Sequence, residues 1–129
     1  MKLQAALICD FINETKDGKI NIIGSGVTGV NLSKTPSIES PVNASFFVFI
    51  RLERSPHEDE NHKFKLLIQG PNGNKILNGE IEFKIIGKFH NLIAPLNFRI
   101  SELGEHSIEL FIDGENDVSL PFLVELQKH

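Results

Sequence analysis

LNFRISELGEHSIELFIDGENDVSLPFLVEL, running from Leu96 to Leu126, places its apolar residues at every second position: Leu96, Phe98 and Ile100, then Ile108, Leu110 and Ile112, then Phe122, Val124 and Leu126. A period of two is that of a strand with one buried face. Between the second and third runs, Asp113-Gly114-Glu115-Asn116-Asp117 is rich in residues that accept turn dihedrals. Those two runs should therefore fold back on each other as an antiparallel hairpin.

The same signals recur upstream. Phe64, Leu66 and Ile68 share one face, Gly70-Pro71-Asn72-Gly73 turns the chain, and Ile76-Leu77 starts a return strand. From Glu80 to Ile86 the apolar Ile81, Phe83 and Ile85 alternate with Glu82 and Lys84, until Gly87-Lys88 breaks the pattern before Phe89 to Pro95. In the strand Asn43 to Arg54, Phe46, Val48, Ile50 and Leu52 make one face, and Phe47 and Phe49 lie on the other beside Arg51 and Glu53. Either another element covers Phe47 and Phe49, the favoured reading, or they form a partner surface of the kind apolar patches mark.

At the start, Leu3 to Ile12 is apolar on both faces, with Leu7, Cys9 and Phe11 on one and Ile8 and Ile12 on the other, as in a central or covered strand. Asn13 to Lys19 contains Asp17-Gly18 and should turn the chain into a strand from Ile20 to Gly24. Gly24, Gly26 and Gly29 give the spacing G-x-G-x-x-G, but VNLSKTPSIESP follows, and its Pro36 and Pro41 leave no helix whose N-terminus could hold a phosphate. A kinked or bulged strand explains these glycines better. Asn31 to Val42 reads as an irregular connection that crosses between sheets.

Seven to nine strands with regular turn signals and no helical run predict an all-β, antiparallel two-sheet sandwich, immunoglobulin-like or related, with a barrel as second choice. The 129 residues are expected to form a single domain, 1–129. Hydrophobic residues make up 40% and charged residues 23%, as in soluble globular proteins, and the net charge of -4 supplies no excess of cations for nucleic acid or an anionic membrane. Ten Phe with no Trp or Tyr argue against sugar-binding and base-stacking surfaces. The opening MKLQAALICDFINE has an apolar run only from Ala5 to Cys9 before Asp10, too short for a signal core, and the lone Cys9 fits a reducing compartment. A cytoplasmic location is expected.

Two segments resemble a family of small, uncharacterised bacterial proteins classed as a domain of unknown function. One is Cys9-Asp10 followed by Asp17-Gly18-Lys19-Ile20-Asn21-Ile22-Ile23-Gly24. The other runs from Leu103-Gly104-Glu105-His106 through Ile112-Asp113-Gly114-Glu115 to Pro121-Phe122-Leu123-Val124, similar to that family's closing hairpin. With the Gly70 to Gly73 turn, the likeness spans nearly the whole chain. It implies a compact all-β module with no known activity, and carries over no functional residues.

Three constellations supply chemistry-bearing side chains. In His57-Glu58-Asp59-Glu60-Asn61-His62, two imidazoles flank carboxylates, and His57, Glu58, Asp59 and His62 are candidate transition-metal ligands. Asp113, Glu115 and Asp117 could join loop carboxylates around calcium, although neither pattern matches an established motif and solvated turns explain both. Cys9, Asp10, His90 and His106 are the residue types of a nucleophile with a base and an orienter, yet Cys9 lies in phase with Leu7 and Phe11, as a small core residue would. The expectation is a non-catalytic protein without cofactor, acting on a protein partner or on itself as a homo-oligomer. A small-ligand or metal-binding sandwich is the alternative, and an enzyme using Cys9 and His90 the third reading.

Overall fold

The alternating runs become paired strands. The structure, a computed structural model, describes residues 1–17 and 19–127; the side chains of Ser25 and Asp117 lie outside that description, as does Gly18 of the expected first turn. Among the described residues there are nine strands: β1 (Lys2–Glu14), β2 (Ile20–Ser25), β3 (Gly29–Leu32), β4 (Val42–Glu53), β5 (Asn61–Gln69), β6 (Lys75–Lys84), β7 (Phe89–Ile100), β8 (Gly104–Ile112) and β9 (Glu115–Leu126). They form a four-stranded sheet, β2-β1-β4-β7, and a five-stranded sheet, β3-β9-β8-β5-β6. The sheets keep separate edges, so the architecture is a sandwich and not a barrel.

All pairs are antiparallel except β3 with β9, which run parallel from Gly29↔Leu123 to Leu32↔Leu126. The three glycines make this mixed sheet possible. Gly24 and Gly26 have φ of 66° and 79°, values open to glycine, and the amides of Gly26 and Val27 both donate to the Ile8 carbonyl, at 3.0 and 3.1 Å. The chain thereby leaves the first sheet after β2 and joins the edge of the second as β3, and residues 33–41 return it to β4.

The order β1-β4-β7 against β9-β8-β5-β6 is that of immunoglobulin strands A-B-E against G-F-C-C′. Strand D beside E, and C″ beyond C′, have no counterpart among the described residues. β7 and β6 are therefore both free edges.

One apolar layer joins the sheets. Phe46, Val48, Ile50 and Leu52 of β4 and Leu96, Phe98 and Ile100 of β7 meet Phe64, Leu66 and Ile68 of β5, Ile108 and Leu110 of β8, and Phe122 and Val124 of β9. Phe122 sits at its centre, 1% exposed, with Phe46 and Phe98 ring centroids at 6.1 and 5.9 Å. A second cluster lies on the outer face of the four-stranded sheet, where Cys9, Ile12 and Phe49 are buried and Ile20, Ile22, Leu7, Phe47 and Ile93 pack against them. The far end of the β1–β2 hairpin thus covers the outer face of β4. Phe49 is only 7% exposed, so the Phe47/Phe49 surface expected as the partner-facing alternative is not an open patch; Phe47 is half-buried and edge-on to Phe11.

Candidate functional site

The edge strands β6 and β7 flank an opening into the core. In the β5–β6 register, Phe64 is opposite Ile81, Leu66 opposite Gly79 and Ile68 opposite Leu77. Cross-strand partners share a face, so Leu77, Gly79 and Ile81 point inward with the core residues of β5. Across the gap, β7 directs Leu92, Ala94 and Leu96 inward by the same alternation. Where a large side chain would close the sandwich, β6 offers Gly79 and β7 offers Ala94. The result is a mainly apolar opening of ≈ 340 Å³, lined by Phe64, Leu66, Gly79, Ile81, Ala94 and Leu96 among others. A Cβ on Gly79 would meet nothing within 4 Å, and Ile81 is 53% exposed.

The edges differ in what they offer a further strand. β7 contains Pro95, which has no N–H and is tolerated because β7 is an edge. β6 has no proline from Lys75 to Lys84 and pairs only with β5, so its other side presents free backbone groups.

Further along the same two edges three rings group together. Phe83 of β6 stacks on His90 of β7, centroids 5.4 Å apart, and also meets the tilted ring of His62 of β5 at 5.6 Å. Burial pushes the His90 pKa down, favouring the neutral ring that stacks. His62 has a 4% exposed side chain whose Nδ1 lies 2.6 Å from Asp113 Oδ2. Asp113 adopts φ 51°, accepts the Lys63 amide on Oδ1 at 2.9 Å, and donates its own amide to the Lys63 carbonyl. Partial burial pushes the Asp113 carboxyl up, but the hydrogen bonds from His62 and the Lys63 amide, with the attraction of His62, outweigh it and hold the pKa below the ordinary value.

The sequence placed His62 with His57, and Asp113 with Glu115 and Asp117. The structure takes one residue from each set and pairs them. His57 is exposed on a turn at φ 65°, and Asp59 is exposed. Glu58 accepts the Ser55 amide at 2.9 Å and binds the Met1 amino group at 2.7 Å. Burial acts to raise its pKa, and these two partners bring it below the ordinary value. Glu115 is exposed at the start of β9, and the Asp117 side chain lies outside the described residues. Among the described residues, no three His, Cys, Asp or Glu side chains converge to hold a metal ion.

Nor are the candidate catalytic residues brought together. Cys9 is fully buried in the outer cluster, its pKa raised by burial and by the Asp10 charge. It stands opposite Phe47, whereas His90 stands opposite the inward-facing Leu52 five residues further along β4, on the other face of the sheet. Asp10 is exposed beside Gly24, and His106 is 1% exposed, stacked on Phe122 with Nδ1 3.0 Å from the Gly104 carbonyl.

The model of a family of unknown function, DUF6941, matches residues 4–125. The chain belongs to this family. The match extends from β1 into β9, so both DUF6941 sheets and the β6–β7 opening lie within it. No curated protein matches the chain. Among the described residues of this DUF6941 member, no helix is long and apolar enough to cross a membrane.

The sequence reading does not single out Gly79 or Ala94: it starts a return strand at Ile76-Leu77 and follows the alternation only from Glu80 onward. The available signal was a lone glycine inside an alternating run, which marks close approach of a ligand or another backbone.

Proposed function

We propose that this protein is a non-catalytic interaction module that takes up an extended segment of a partner protein along the free edge of β6. The observation that carries the reading is the Gly79–Ala94 opening between two unpaired edges. An added strand would gain main-chain hydrogen bonds from β6 and insert alternate side chains into the opening, the general mode of strand addition. The segment would stand where strand C″ stands in a variable-type sheet. A bacterial, cytoplasmic setting is supported by the family resemblance and by the single buried thiol of Cys9.

Selection of a random nine-residue peptide library on the protein, with Gly79→Leu as the counter-target, tests this. Enrichment of sequences that bind the wild type and not the variant is expected. Sequences that bind both equally, or no enrichment, would contradict the reading.

A further inference from the structure

Resting on that strand-uptake reading, we infer that the segment taken up alternates basic with apolar residues, and that it is not a second copy of β6. On β6, Glu80 and Glu82 point outward while Gly79 and Ile81 point inward. The residues of an added strand opposite Glu80 and Glu82 would project onto the same outer face, where opposite charges attract across strands and like charges repel. Those opposite Gly79 and Ile81 would enter the apolar opening.

The pattern required is already present on the other side of β6. Its partner β5 sets Leu66, Lys65, Phe64 and Lys63 opposite Gly79, Glu80, Ile81 and Glu82 in turn. Between Asn78 and Lys84 the outward face of β6 is acidic, the one strand beside it there is basic-apolar, and its free side repeats the same demand. Antiparallel self-pairing centred on this segment would place Glu80 and Glu82 of one copy opposite those of the other. The carboxylates thus discriminate against the strand most abundant around the molecule, its own β6, in the way edge charges do.

The test is fluorescence anisotropy with three labelled heptapeptides, KIKIKIK, EIEIEIE and KKIIIKK, the last matching the first in composition without its alternation. KIKIKIK is expected to bind the wild type at least about tenfold more tightly than either, from two cross-strand ion pairs and the seated side chains. Glu80→Gln with Glu82→Gln, which cannot repel Lys65 and Lys63, should erase the preference over EIEIEIE, and Gly79→Leu should abolish binding. Thermal melts confirm that each variant is folded. Equal binding of KIKIKIK and KKIIIKK overturns the inference. If EIEIEIE binds as well as KIKIKIK and both are lost in Gly79→Leu, strand uptake stands and the basic pattern falls. If Gly79→Leu changes nothing, or no peptide binds the folded wild type, both fall.

Discussion

Phe83 on β6 and His90 on β7 stack with ring centroids 5.4 Å apart and planes 19° from parallel, joining two strands that belong to different sheets. Beyond this stack the edges part around Gly79 and Ala94. Burial disfavours the charged imidazolium and lowers the His90 pKa from its usual 6.5. The unfolded chain then binds the proton more readily than the folded one. Stability should be fully present above about pH 6.5 and fall as the pH drops through the folded-state value. Urea unfolding of wild type and His90→Phe between pH 7.5 and 5 measures this. The wild type should lose stability over that range, and the variant, which keeps a ring against Phe83, should lose less.

Glu58 and Asp113 act in a lower window. Both have lowered pKa values, from ordinary values of 4.5 and 3.8, so their contribution is present above those values and lost as pH falls through the folded-state ones. Glu58→Gln and Asp113→Asn should each flatten the decline in stability below about pH 4.5, as read by acid titration of circular dichroism.

The Asp113 position separates two effects. Asn tolerates the left-handed backbone there but loses the charge that faces His62, whereas Ala loses both the hydrogen bonds and the backbone preference. Asp113→Asn should cost about 1 kcal/mol and Asp113→Ala roughly 2–3 kcal/mol by urea denaturation at pH 7. Equal costs would show that neither the side-chain hydrogen bonds nor the backbone preference contributes at this position.

Phe47 and Phe49 are adjacent in sequence and should behave differently. Phe49→Ser removes a ring packed beneath the β1–β2 hairpin and places a hydroxyl there, costing about 3–5 kcal/mol. Phe47→Ser, at a half-buried site, should cost roughly half as much. Thermal melts of the two variants give the comparison.

The sandwich and its closing hairpin were legible because strand alternation is local: Ile108, Leu110 and Ile112 and then Phe122 and Val124 declare their buried face within a few residues. Three features were not. The His62–Asp113 pair joins positions 51 residues apart, and loop composition assigned each to its sequence neighbours. The cover over Phe49 depends on how far the β1–β2 hairpin coils, which brings Ile12 to the same cluster as Cys9 although their spacing puts them on opposite faces of a flat strand. The parallel β3–β9 pair depends on where the chain crosses sheets at Gly24 to Gly29, and glycine spacing fixes no partner.

The most direct measurement of strand uptake is amide hydrogen exchange of the protein with and without saturating KIKIKIK. Slowing at alternate amides of β6, from Lys75 to Lys84, together with a shifted Ala94 methyl resonance, is the predicted result. Unchanged exchange along β6 under conditions where the peptide is bound would contradict it.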